Sequence, residues 1–159
     1  MIYRNPSLPE ATIITYETNQ AVFSDKSVEI TLSGFVVSPN DRVFLTLIGA
    51  DGQDAGDSTY MNGRLISQDG WDGSDPQAGP RYSHGNLWDT DTYEVSPYLQ
   101  AGDTSVTIAL KENGDCLVLV AAVLCIGPQG VAPVAPCDEP GNELGLACPI
   151  TLPYTGHHA

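Results

Sequence analysis

Positive charge is scarce in this chain: six Lys and Arg stand against twenty Asp and Glu in 159 residues, a formal net charge of −14. A phosphate backbone would be repelled rather than neutralised, which excludes nucleic acid as a partner. Charge of either sign is thin, 16% of residues, so helices laced with i,i+4 ion pairs are not expected. No apolar run reaches eighteen residues, and a helix needs about twenty to cross roughly 30 Å of hydrocarbon; no membrane span is expected. There is no CxxC, and His84, His157 and His158 stand at no zinc-like spacing from the cysteines. A G-x-S-x-G elbow is missing, the adjacent Ser83 and His84 diverge on an extended chain, and no pair of carboxylates is singled out for glycoside chemistry. The chain is therefore expected not to be an enzyme. MIYRNPSLPE has no basic segment leading into an apolar one, so no secretory signal is visible. Scarce lysine with four cysteines favours excision from an exported precursor over a cytoplasmic protein, and hence an extracellular or cell-surface setting.

What is plentiful is turn chemistry, with 16 Gly and 12 Pro. A chain of this length suits one domain, which buries roughly 70% of its unfolded surface. TIITYE (12–17) opens as a strand, and in KSVEITLS (26–33) Val28, Ile30 and Leu32 alternate with Glu29, Thr31 and Ser33, the period of a strand buried on one face. RVFLTLIG (42–49) is apolar on both faces, as expected of a strand covered on both sides. STYMNGRLIS reads as a hairpin turning at Asn62-Gly63 through a type I′ turn. Residues 68–91 form the longest irregular segment, TYEV (92–95) restarts the sheet, and TSVTIALK (104–111) alternates again. Asn113-Gly114 predicts a second tight hairpin into DCLVLVAAVLCI (115–126), read as a central strand flanked on both faces. The pattern gives eight or nine short strands and an all-β antiparallel sandwich. Residues 1–11 are an N-terminal extension, 12–126 the sandwich, and 127–159, with six prolines, an extended Pro/Gly-rich tail.

Cysteine spacing limits the bridges. If 116–126 is one straight strand, Cys116 and Cys125 lie about 30 Å apart, against the roughly 7 Å that a disulfide tolerates between Cα atoms. They do not pair with each other, and an odd separation sends them to opposite sheet faces. Two arrangements remain: Cys137 with Cys148 plus two free buried thiols, which the compact loop CDEPGNELGLAC favours, or two bridges tying the tail to the strand.

Two clusters are candidate sites. Asp51, Asp54 and Asp57 recur at three-residue steps, as do Asp69, Asp72 and Asp75, with Asp89 and Asp91 nearby. Calcium takes six to eight oxygens from such flexible loops, although Asp and Gly also simply make turns, and the EF-hand pattern is absent. Trp71, Tyr82 and Trp88, with Arg81, His84 and Asn86, offer rings and polar groups for a sugar; the competing reading has the tryptophans plugging the end of the sandwich. Lys26 and Lys111 are the lysines available for a Lys-Asn cross-link, snorkelling being the simpler role.

Two segments, STYMNGRLIS and LWDTDTYEVSPYLQAGDTSVTIAL, resemble the galactose-binding-like jelly-roll modules found beside glycoside hydrolases and in surface proteins, across about residues 43–126. The resemblance implies a jelly-roll sandwich with a non-catalytic binding or structural role, often with bound calcium; the long Asp/Gly insertion between the two motifs departs from it. Leu152, Pro153, Thr155 and Gly156 match the LPxTG sorting motif of Gram-positive surface proteins, without the hydrophobic stretch and basic tail of that family. The leading expectation is an extracellular structural or adhesive unit of a cell surface or assembled filament, partnered by itself or by surface proteins, with the proline-rich arm adding a strand to a neighbour. A carbohydrate-binding module, with glycans as partners, and a virion or particle decoration protein are the alternatives.

Overall fold

The computed structural model describes residues 10–23, 26–50, 56–71, 88–112, 114 and 116–128. Within them lie eight strands: β1 (Thr12–Phe23), β2 (Ser27–Ser33), β3 (Asp41–Ala50), β4 (Ser58–Met61), β5 (Arg64–Gln68), β6 (Trp88–Glu94), β7 (Ser105–Lys111) and β8 (Cys116–Pro128), with one 3-10 turn at Ser96–Tyr98. They form two antiparallel four-stranded sheets, ordered β1-β8-β3-β6 and β2-β7-β4-β5. This is the jelly-roll form of the sandwich, successive strands being dealt between the two sheets.

Alternation in the sequence becomes the core. Ile30 and Leu32 of β2 pair with Ile108 and Val106 of β7, all buried, and buried Leu110 pairs with the partly buried Val28. Leu45 and Leu47 of β3 and Leu119 and Leu124 of β8 face them from the other sheet with no exposed surface. Asn62 (φ 50°) and Gly63 (φ 75°) close the β4–β5 hairpin in the left-handed region that a type I′ turn requires. The Asn62 side chain also accepts from the Thr107 N–H at 3.1 Å, fastening the turn to β7.

Four expectations are corrected. Asn113-Gly114 does not make a hairpin: β7 pairs with β2 and β4, and β8 pairs with β1 and β3, so the chain crosses between sheets there. Gly114 has φ 102°, but a local reversal does not say which sheet receives the next strand. An apolar strand is best placed between two partners, and β8 finds them in β1 and β3. β1 runs six residues past the predicted end at Glu17, across a register shift between Glu17 and Gln20. β6 starts at Trp88 rather than Thr92, and Val95 leaves the strand to be buried in the core. Finally, among the described residues the second sheet covers β3 and β8 on one side, and their other side chains, half-buried apart from the buried Phe44, form the outer side of the sheet.

Candidate functional site

The outer face of the β1-β8-β3-β6 sheet is built by an irregularity in β8. Opposite β3, consecutive residues Ile48 and Gly49 pair with Ala121 and Leu119, so Val120 is the extra residue of a β-bulge. A bulge inverts the inside-outside alternation beyond it. Leu117 and Leu119 point inward on one side of it, Ala122, Leu124 and Ile126 on the other. Cys116 and Cys125 therefore lie on the same, outer face, which corrects the prediction of opposite faces; both are half-buried rather than buried.

Register fixes the rows of this face. Ile13, Cys125, Phe44 and Glu94 lie side by side, then Thr15, Val123, Thr46 and Thr92, then Glu17, Ala121, Ile48 and Thr90; beyond the bulge come Ala21, Val118, Ala50 and Trp88. The Thr46 and Thr92 hydroxyls bond at 2.9 Å. Ile13 and Phe23 are each 52% exposed, and Val118, Val120, Ala121 and Val123 of β8 are half-covered. At one end Arg42 donates from Nε and Nη2 to the two Glu94 carboxylate oxygens at 3.0 and 2.6 Å, and its guanidinium lies 4.8 Å above the Phe44 ring. That fork raises the Arg42 pKa and lowers that of Glu94. Burial pushes the Cys125 thiol above its ordinary value.

The opposite outer face differs in chemistry. β2 shows Ser27, Glu29, Thr31 and Ser33 to solvent, beside Ser105, Thr107 and Lys111 of β7, with apolar Ala109, Tyr60 and Leu65 toward the β4–β5 end. The β2-β7-β4-β5 sheet is polar outside along β2 and β7, whereas the other sheet carries valine, alanine and cysteine outward on β8 between threonines and glutamates of β1, β3 and β6.

The two tryptophans singled out in the sequence part company. Trp71 is 1% exposed, its Nε1 donates to Thr59 Oγ1 at 3.1 Å, and its ring lies directly on Gly49. A buried ring offers no face to a sugar, so Trp71 is a core residue, which corrects its assignment to ligand binding. Trp88 is 37% exposed at the β6 edge. Of the acidic candidates, Asp57 and Asp89 are buried, and Asp69, in the left-handed region at φ 58°, receives the Gly56 N–H on its carboxylate while its own N–H donates to the Asp57 carbonyl at 2.8 Å. Asp91 accepts from the Tyr93 hydroxyl at 2.9 Å. Burial pushes the Tyr93 phenol far above its ordinary value, the Asp91 carboxylate adds to the rise, and a hydrogen bond with Ser67 opposes it. The Asp69 and Asp91 carboxylates are engaged in hydrogen bonds, and among the described residues no three His, Cys, Asp or Glu are grouped to hold a metal ion. Asp51, Asp54, Asp72, Asp75, Arg81, Tyr82, His84, Asn86, Cys137, Cys148, Leu152, Pro153, Thr155 and Gly156 lie outside the described residues.

Sequence reasoning did not single out the outer face. The usable signal was that CLVLVAAVLC is apolar in both phases and that RVFLTLIG adds Phe44 and Ile48 on the phase opposite Val43, Leu45 and Leu47. Deciding whether a second layer covers the extra phase takes the three-dimensional arrangement.

No protein-family model and no curated protein matches the chain. Among solved structures it is similar to a β-porphyranase of glycoside hydrolase family 86 from the human gut bacterium Bacteroides plebeius, at 12% identity and TM-score 0.49, covering 77% of this chain and 21% of that one. It is similar also to the CBM36-1 domain of a multidomain xylanase from the hindgut metagenome of Trinervitermes trinervoides, at 19% identity and TM-score 0.38, covering 77% of this chain and all of that one. A third likeness is to infectious bursal disease virus, Gt strain, at 12% identity and TM-score 0.38, covering 84% of this chain and 38% of that one. The chain thus spans about a fifth of the porphyranase, and with every TM-score below 0.5 the functional reading rests on the geometry alone.

Proposed function

We propose that the chain is a non-catalytic structural or adhesive unit of an extracellular surface or assembly, and that it meets its neighbour through the outer face of the β1-β8-β3-β6 sheet. The observation that carries this is the contrast between the two outer faces. Strands about 4.8 Å apart, with about 3.3 Å per residue, give the face an area on the order of 400–600 Å², the size at which an apolar patch on a monomer is often functional. Two such faces stacked together would bury on the order of 1,000 Å², the lower limit of a specific interface. A flat sheet with valine, alanine and threonine outward suits sheet-on-sheet stacking. Sedimentation velocity of the reduced full chain is the test. Concentration-dependent association, abolished by Val123→Lys and retained by Thr31→Lys on the polar sheet, is the expected result. Association that survives Val123→Lys, or a monomer at every concentration, removes the reading.

Trp88 favours a second reading, a carbohydrate-binding module. Its partly exposed indole stands in register with the small side chain of Ala50, and sugars stack their apolar faces on such rings. A glycan array gives hits that Trp88→Ala abolishes if the ring is the platform; hits unchanged by the substitution exclude it.

A further inference from the structure

Each sheet has two edges, β1 and β6 in one, β2 and β5 in the other, and an edge leaves a row of backbone N–H and C=O groups open to a further strand. Three of these edges carry features that hinder such pairing. β5 is five residues long and bulged at Ile66, the extra residue between Leu65, opposite Tyr60, and Ser67, opposite Thr59. β6 turns two carboxylates inward, the buried Asp89 and Asp91, which stands opposite the buried Leu47. β2 follows Lys26, and its exposed residues, Ser27, Glu29, Thr31 and Ser33, are all polar. β1 differs. Residues 10–23 contain no Lys, Arg or Pro, and Thr12 to Glu17 pair with β8 one for one before the register shifts. Ile13 is exposed, and Ile14 and Tyr16 on the inner side are only partly buried, whereas Leu124 and Ala122 opposite them are fully covered. Among the described strands none pairs with the free side of β1, so the core layer stops open there.

A strand that meets its own copy antiparallel does so about a dyad, and residues placed opposite each other share a face. With Ile14 on the dyad, Ile14 meets Ile14 of the second copy, Thr12 meets Tyr16, and Ile13 meets Thr15. These are the β-branched and aromatic pairs that stabilise a sheet. Glu17 then meets Ala11, which keeps the two Glu17 residues about 20 Å apart. Moving the dyad toward Glu17 brings those carboxylates together.

Building on the contact surface argued above, we propose that residues 11–17 pair antiparallel with the same residues of a second copy, about a dyad at Ile14, joining two four-stranded sheets into one of eight. The inference rests on the assembly reading for the identity of the partner. The dyad stands normal to the sheet, so the two outer faces become one surface. Stacking one face on another buries on the order of 1,000 Å², and stacking two edge-joined pairs buries about twice that, beyond the lower limit of a specific interface. One pair of strands is marginal by itself, so the edge takes hold between copies that also stack.

Two exposed positions test the register without touching the core. In a chain with Cys116, Cys125, Cys137 and Cys148 changed to Ser, Ala11→Cys and Glu17→Cys are made separately and one of them is isotope-labelled. The two are mixed at the highest concentration the chain reaches in solution, oxidised with copper-phenanthroline and weighed. The expected result is a mixed disulfide dimer exceeding either uniform dimer by about tenfold or more, because positions 11 and 17 stand opposite while like positions lie about 20 Å apart, against the roughly 7 Å that a disulfide tolerates. A smaller excess, or no dimer, overturns the proposal. Sedimentation of Val123→Lys separates the edge from the stacked face. If the mixed dimer predominates and Val123→Lys leaves association unchanged, the edge pairing stands and the stacked face falls. If Val123→Lys abolishes association and the mixed dimer is missing, the reverse holds.

Discussion

Replacing Gly49 by alanine tests the packing that closes the acidic end of the sandwich. Gly49 lies on the inner side of β3, and a methyl group there would meet Cε3 of Trp71 at 2.9 Å and Cη2 at 3.0 Å, and overlap Cζ3 outright. The obstacle is a rigid ring with 1% exposure, not the far end of a flexible chain, so either β3 shifts or the indole leaves its slot. Overpacking a core costs about 1–3 kcal/mol. Displacing the ring also breaks the bond from Nε1 to Thr59, worth about 1 kcal/mol, under a ceiling of about 3–5 kcal/mol for deleting a buried tryptophan. A loss of about 3 kcal/mol lowers Tm by roughly 6–12 °C in a chain of this size. Thermal melts followed by circular dichroism measure it, and Trp71 fluorescence in a Trp88→Phe background reports whether the ring has become wet. The double variant Gly49→Ala with Trp71→Leu should cost less than the two single losses added together, because both act on one contact. A Gly49→Ala protein that melts within 2 °C of the parent with unchanged emission would refute the packing argument (~0.5–1 kcal/mol by the same conversion).

Thr59→Val keeps the shape but removes the acceptor for the Trp71 N–H; an unsatisfied buried donor costs about 1–3 kcal/mol, read as a lower urea midpoint at unchanged m-value. Glu94 is held below the usual carboxylate range by Arg42. A depressed folded pKa contributes stability above the unfolded value of about 4.3 that is lost as pH falls through the folded value. NMR titration should place its midpoint below that of the same residue in the unfolded chain, and Arg42→Met should move it upward; no movement sinks the ion pair. In a variant with Cys116, Cys137 and Cys148 changed to Ser, the Cys125 thiol should alkylate more slowly at neutral pH than an unfolded control, because burial raises its pKa and shrinks the thiolate fraction; equal rates would place it in open solvent.

Local signals decided the elements. Asn62-Gly63 fixed a turn whose φ values only such a pair adopts easily, and the alternation of Val28, Ile30 and Leu32 named the buried side of β2 before any partner was known. The unbroken apolar run from Leu117 to Leu124 required a strand with neighbours on both sides, which β1 and β3 supply. The candidate site was legible only in fragments: Trp88 is where an exposed ring was sought, whereas Trp71 is in the core because Gly49, twenty-two residues earlier in the chain, leaves room for it.

Composition and turn chemistry by themselves thus determined an acidic, two-layered β protein, because hydrophobic period and left-handed turn residues act over a few positions. Tertiary structure alone decided that β8 joins the sheet of β1 rather than that of β7, that one extra residue at Val120 turns both strand cysteines outward, and that β8 carries valine and alanine outward beside them. Those outcomes depend on pairings between residues more than a hundred positions apart, such as Thr12 with Ile126, and a register that shifts by one residue exchanges the inside and outside of everything after it.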